Sequence, residues 1–135
     1  MPDKRKKETK DSFEKPKFVP VHKHIIVSAL VNNPPSTTDD VKEFLSSMIS
    51  KVGMECISGP YAEMVDDEGN EGPTGVAILS TSHCAVHVWT HVSPARMEVD
   101  LYSCKDFNPT DIVKMIKEFD AHEIKCKFLD RDVDV

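Results

Sequence analysis

The sequence lacks any apolar run long enough to cross a membrane, since a transmembrane helix needs about 20 such residues. The charged residues near the N-terminus are not followed by the apolar segment that a secretory signal carries. We therefore expect no membrane contact and a cytoplasmic location.

Cysteine is also sparse. The chain has four cysteines, widely spaced and without a Cys-x-x-Cys pair. Such spacing does not suggest a disulfide framework, and nothing suggests secretion. We predict reduced thiols, of which at most one has a chemical role.

Positive charge is scarce outside one segment. The 17 Lys and Arg residues against 23 Asp and Glu residues give a formal net charge of -6. This balance argues against a general affinity for nucleic acid or anionic lipid. Seven of the basic residues lie between Lys4 and Lys17 among very few apolar side chains. We predict that residues 1–20 form a disordered basic tail and that residues 21–135 form a single domain.

Two amphipathic stretches are set among β-branched, strand-like runs. Apolar residues recur at helical spacing between Val41 and Val52 and again between Ile112 and Phe119. A tight turn is expected at Thr81-Ser82, between two strand-like runs. We predict an α+β fold of order βαβββαβ, a two-layer sandwich with a mostly antiparallel sheet and two helices on one face.

Three histidines alternate with other residues along one predicted strand, which puts His83, His87 and His91 on one side of it. Neighbours in this series would lie about 13 Å apart at the usual rise of a strand. Zinc ligands bind at about 2.1 Å, so these histidines are too far apart to share an ion. We expect no metal site.

The segment from Gly75 to Cys104 carries the most specific pattern. A Thr-Gly pair leads into a hydrophobic strand, a Ser-His pair follows, and a histidine and a tryptophan come five and seven residues after that serine. The next strand ends in Asp-Leu-Tyr-Ser-Cys. This pattern resembles the pyruvoyl-dependent S-adenosylmethionine decarboxylases of the small prokaryotic and phage type. The matching residues are Thr74-Gly75, Val76 to Leu79, Ser82-His83, His87, Trp89 and residues 100–104.

The resemblance implies a proenzyme that cuts itself between Thr81 and Ser82 and makes a pyruvoyl group from Ser82. It also implies that His87 removes the Ser82 Cα proton and that Thr74 helps to hold the ester that precedes cleavage. In turnover, the new carbonyl would form a Schiff base with the substrate amine and accept electrons as carbon dioxide leaves. Cys104 would then return a proton to the carbanion.

Thr81, Trp89 and His91 would contact the substrate, and two of these positions depart from the family. The residue before the processing serine is typically Glu, whereas this chain has Thr81. The family commonly has a Glu, suited to binding two ribose hydroxyls, where this chain has His91. An imidazole cannot accept both hydrogen bonds as a carboxylate can.

Three functions remain open. The first is an S-adenosylmethionine decarboxylase that supplies the aminopropyl donor for spermidine. The second is a pyruvoyl-dependent decarboxylase of arginine or ornithine, which the loss of the ribose-binding carboxylate would permit. The third is an uncleaved relative that acts as a binding or regulatory subunit. The resemblance also implies a homodimer with active sites at its interface, where Glu98, Asp100 and the His87 strand would meet a second copy.

Overall fold

A six-stranded antiparallel sheet carries two helices on one face in this computed structural model, which describes residues 17–135. The predicted two-layer α+β fold is confirmed. Most of the predicted basic tail, residues 1–16, lies outside the described residues. The elements are β1 (Lys23–Val31), α1 (Thr38–Lys51), β2 (Cys56–Val65), β3 (Gly72–Leu79), β4 (Ser82–Trp89), β5 (Ala95–Ser103), α2 (Pro109–Lys117) and β6 (Ala121–Asp130).

Four strands lie between the helices, one more than in the predicted order of elements, so the observed order is βαββββαβ. The turn between β3 and β4 falls at Ser80-Thr81, one residue before the predicted position. Leu79 and Ser82 are directly paired, which leaves only two residues for the loop. Ser82 is therefore the first residue of β4 rather than part of the turn.

Both helices begin with a side-chain cap. Thr37 Oγ1 accepts a hydrogen bond from the Asp40 N–H at 3.0 Å, and Asn108 Oδ1 accepts one from the Thr110 N–H at 3.0 Å. Such a cap stabilises a helix by about 1 kcal/mol. Within residues 17–135, neither helix combines the length and the apolar character needed to cross a membrane. The helices pack against the sheet through Val41, Phe44, Leu45, Met48, Ile49, Ile112 and Ile116.

The sheet strands alternate between a buried face and a face without helices, which we call the open face. On β5, Met97, Val99, Leu101 and Ser103 are buried beneath the helices, as the alternation predicts. Directly paired residues share a face, so the pairing of β3, β4 and β5 identifies the open-face residues. They are Thr74, Val76, Ile78, His83, Ala85, His87, Trp89, Arg96, Glu98, Asp100 and Tyr102.

Gly75 allows α1 to approach β3 closely. A Cβ at this position would lie 2.4 Å from Val41 Cγ1 and 3.0 Å from Leu45 Cδ1. We expect Gly75→Ala to lower the free energy of unfolding by about 1–3 kcal/mol through overpacking, measured by chemical denaturation. Adding Val41→Ala should relieve the clash, so the double variant should be more stable than the sum of the single effects predicts. Additive effects would contradict this account of the contact.

Candidate active site

Ser82 has a strained backbone at the bond where cleavage is expected. Its φ is 148°, in the region that favours glycine, although it carries a side chain. Its Oγ lies 3.3 Å from His83 Nδ1, and the residue is half-buried. The hydroxyl and the strained backbone therefore occur together at the first residue of β4.

The carbonyl of Thr81 is held by the end of β5. Its oxygen accepts a hydrogen bond from the Cys104 N–H at 2.8 Å. A donor in this position polarises the carbonyl and would stabilise the negative charge that develops when a nucleophile attacks it. Thr81 Oγ1 is buried and has no hydrogen-bond partner within residues 17–135.

Cys104 is half-exposed at this end of the sheet, whereas Cys84 on the neighbouring strand β4 is buried. Cys84 lies in the core, where burial raises the pKa of its thiol to about 12. Such a thiol keeps its proton and takes no part in chemistry near neutral pH. Of these two cysteines, Cys104 is the one whose backbone N–H contacts the Thr81 carbonyl.

Thr74 and His87 form a second cluster, on paired positions of β3 and β4. Thr74 Oγ1 and His87 Nδ1 are hydrogen-bonded. His87 Nε2 is buried and has no hydrogen-bond partner among the described residues. Burial lowers the pKa of His87, which favours the neutral imidazole that a general base requires.

The two clusters are far apart within one chain. Ser82 and His87 are five residues apart on the same strand, a separation of about 16 Å at the usual rise. The structure thus brings Ser82, Thr81 and Cys104 together and, separately, Thr74 and His87. It does not bring the predicted base to the predicted serine of the same chain.

Trp89 and His91 extend the His87 cluster toward the end of β4. The Trp89 ring lies 4.0 Å from the His87 ring, and its Nε1 donates to Asn70 Oδ1 at 2.7 Å. His91 Nδ1 lies 3.6 Å from Glu71 Oε1. The loop before β3, which carries these two partners, was not among the predicted site residues. A cavity of about 590 Å³ next to it is lined by Trp89, His91, Val92, Arg96 and Glu98.

Tyr102 is the centre of a third group of open-face side chains, close to Ser82. Its hydroxyl lies 3.0 Å from His22 Nδ1, and the Arg131 guanidinium lies 4.4 Å above its ring. The His24 and His83 rings lie 5.7 Å from the Tyr102 ring. The strand alternation was a signal for Tyr102 and His83, but no pattern in the sequence links Arg131 to them.

No group of three or more His, Cys, Asp or Glu residues within 17–135 is arranged to hold a metal ion. His83, His87 and His91 follow β4 and the residues just after it, and their partners differ. His83 contacts Ser82, His87 contacts Thr74, and His91 faces Glu71.

A family model and two curated relatives that match this chain all carry the description S-adenosylmethionine decarboxylase. Residues 23–132 match the family described as S-adenosylmethionine decarboxylase. An S-adenosylmethionine decarboxylase proenzyme of Methanococcus aeolicus is 38% identical over 50 residues, which are 36% of this chain and 41% of the relative. A proenzyme of the same description from Aquifex aeolicus is 31% identical over 68 residues, 50% of this chain and 46% of the relative. The matched segments thus span less than half of these relatives.

The fold has also been solved in a similar protein. The crystal structure of the adenosylmethionine decarboxylase from Aquifex aeolicus superposes with a TM-score of 0.61 and 21% sequence identity. The match covers 82% of this chain and 90% of that chain. At this identity the similarity concerns the fold.

Proposed function

Because the chain belongs to the S-adenosylmethionine decarboxylase family, we propose that it is a self-cleaving decarboxylase that acts on S-adenosylmethionine. The observation that carries the proposal is the geometry at residue 82. A strained serine follows a carbonyl whose oxygen already accepts the Cys104 N–H at 2.8 Å. This arrangement favours attack of the serine hydroxyl on the preceding carbonyl, the first step of such a cleavage.

Cleavage proceeds from the Ser82 hydroxyl. Ser82 Oγ attacks the Thr81 carbonyl carbon, the Thr81-Ser82 amide bond breaks, and residues 1–81 become esterified to Ser82. Removal of the Ser82 Cα proton then expels the Thr81 carboxylate and leaves a dehydroalanine. Hydrolysis of its enamine releases ammonia and forms the pyruvoyl group at the start of residues 82–135. The backbone N–H of Cys104 stabilises the oxyanion of the first step.

The residues around Ser82 fit a pyruvoyl group. Residue 82 is half-buried at the start of a strand, and Thr81 Oγ1 is a buried hydroxyl without a partner within residues 17–135. A pyruvoyl group supplies a carbonyl that accepts electrons when carbon dioxide leaves a bound amino acid. Cys104 would act as the general acid that donates its thiol proton to the substrate carbon.

A second copy completes the site. His87 is too far from Ser82 along β4 to remove a proton from the same chain, and its Nε2 is a buried atom without a partner among the described residues. The open face carries Thr74 and His87, and it also exposes apolar side chains, with Tyr61 55%, Val76 45% and Ile78 50% exposed. Packing two open faces together would bury this surface and bring the partner's His87 to Ser82. We therefore propose a homodimer with two shared sites.

The product follows from the reaction. Loss of carbon dioxide from S-adenosylmethionine leaves an aminopropyl group on the sulfonium, which suits transfer to an amine in spermidine synthesis. Arginine and ornithine are the alternative substrates, because His91 replaces a carboxylate expected to bind ribose. Glu71 lies 3.6 Å from His91 and places a carboxylate near this position, which favours the nucleoside substrate over the two amino acids.

A substrate panel tests the activity. We expect purified, cleaved protein to release carbon dioxide from carboxyl-labelled S-adenosylmethionine and to release none above background from arginine or ornithine. Borohydride reduction of the pyruvoyl carbonyl should abolish the release. Release from arginine or ornithine alone would assign the second substrate class, and cleaved protein without any release would refute the decarboxylase proposal.

A further inference from the structure

Glu71 is fixed beside His91 through both its backbone and its side chain. Its backbone oxygen accepts the Thr90 N–H at 3.0 Å. Its Oε1 accepts the Gly69 N–H at 3.0 Å and lies 3.6 Å from His91 Nδ1. The side chain nevertheless remains 39% exposed. The carboxylate is therefore positioned by the protein and still accessible to a ligand.

The loop that carries Glu71 borders the cavity at the end of β4. Asn70 accepts a hydrogen bond from Trp89 Nε1 at 2.7 Å, and Glu71 faces His91. Trp89 and His91 both line the cavity of about 590 Å³. Two successive loop residues, Asn70 and Glu71, therefore contact two residues of the cavity wall, Trp89 and His91.

Glu98 lines this cavity and Glu71 lies beside it, next to His91, and the two carboxylates differ in their partners. Glu98 lines it directly, but its Oε2 accepts a hydrogen bond from Arg96 Nε at 2.8 Å, which balances its charge with a guanidinium. Both described contacts of the Glu71 side chain are made by one oxygen, Oε1. Glu71 is therefore the carboxylate better able to accept further hydrogen bonds.

A carboxylate suits the chemistry of a ribose ring. It can accept hydrogen bonds from both hydroxyls of a vicinal diol, and a ribose hydroxyl bound by Asp or Glu is common in nucleotide sites. A neutral imidazole has one acceptor nitrogen, so His91 alone cannot do the same. With a proton on Nδ1, however, His91 can orient the Glu71 carboxylate.

We propose that Glu71 binds the ribose hydroxyls of the substrate and that His91 is a positioning residue for its carboxylate. The inference rests on the proposed activity on S-adenosylmethionine and names a residue that decides its specificity. The ribose-binding carboxylate would come from the loop before β3 instead of from position 91. The chain would thus retain the ability to bind the ribose of a nucleoside substrate, although position 91 is a histidine.

Calorimetry with 5′-methylthioadenosine tests the inference without turnover. We use Ser82→Ala protein, and we compare it with the same protein carrying Glu71→Gln. Loss of a charged acceptor should weaken binding about tenfold or more. Glu71→Gln should weaken binding of the 2′-deoxy form of the nucleoside less, because that ligand offers Glu71 only one of the two hydroxyls. Glu68→Gln is the matched control, because Glu68 is an exposed carboxylate of the same loop, and its binding should be unchanged.

A second substitution separates binding from folding. Adding His91→Glu to Glu71→Gln should recover most of the affinity, since it restores a carboxylate at the end of β4. In cleaved enzyme, Glu71→Gln should raise KM for S-adenosylmethionine about tenfold while kcat changes less than about twofold. Unchanged nucleoside affinity in Glu71→Gln would overturn the assignment of Glu71, as would a failure of His91→Glu to rescue it. Intact nucleoside binding in a protein that releases no carbon dioxide from S-adenosylmethionine would instead refute the proposed activity.

Discussion

Replacing Ser82 with alanine should leave the chain in one piece and remove all decarboxylation. The hydroxyl that attacks the Thr81 carbonyl is lost, so no ester forms and no pyruvoyl group is made. Intact mass spectrometry and a denaturing gel should show fragments 1–81 and 82–135 for the original protein and only the full chain for the variant. The fragment that begins at residue 82 should react with a hydrazine. The effect should be complete, because no other group supplies the carbonyl.

Ser80→Ala is the matched control for this experiment. Ser80 is an exposed hydroxyl in the turn before the cleavage bond, so its loss should leave cleavage unchanged. A cooperative thermal transition for Ser82→Ala would show that this variant is folded. Cleavage in folded Ser82→Ala, or an uncleaved chain in the original protein, would refute the proposed maturation. The uncleaved outcome would favour a binding or regulatory subunit.

Two inactive variants should restore each other when they share a dimer. His87→Ala alone and Ser82→Ala alone should each remain uncleaved. In a mixed dimer, Ser82 of the His87→Ala chain would face the intact His87 of the Ser82→Ala chain, and one complete site would form. Co-expression with two different affinity tags should therefore produce cleavage of the His87→Ala chain only. With random pairing, the activity should reach about a quarter of that of the original protein.

The arrangement of the dimer decides this result. If His87 served the serine of its own chain, mixing would restore nothing, because neither chain contains both residues. Two copies of Ser82→Ala with distinct tags provide the negative control and should show no cleavage. Absence of cleavage in a purified mixed dimer would overturn the shared site.

Much of the fold could be predicted because the local signals agree. The helical spacing of apolar residues between Val41 and Val52 and between Ile112 and Phe119 predicted α1 and α2, and both helices bury these residues against the sheet. The turn before Ser82 was misplaced by one residue because Ser80 and Ser82 flank Thr81 with the same turn preference, so composition does not distinguish Ser80-Thr81 from Thr81-Ser82. The pairing of Leu79 with Ser82 fixes the turn at Ser80-Thr81. Such pairing between strands is a tertiary feature that the local sequence does not report.

The candidate site was predictable only in part. Ser82, His87 and Cys104 could be named from a motif, but their distribution into two clusters depends on strand length and pairing. No motif in the sequence singles out His22 or His24, yet both are half-buried beside Tyr102. Contacts of this kind join residues about 80 positions apart, such as His22 and Tyr102, and no local pattern reports them.

Strand order determines whether the two fragments would stay together if the bond before Ser82 were cut. Residues 1–81 contribute β1, β2 and β3, and residues 82–135 contribute β4, β5 and β6. In the order β2-β3-β4-β5-β1-β6, the first strand is inserted between two strands of the other fragment. Within residues 17–135, three pairs of hydrogen-bonded strands join the fragments, namely β3 with β4, β5 with β1 and β1 with β6. Cutting the chain would therefore free two new ends at a tight turn, and the two fragments would stay associated through these strand pairs.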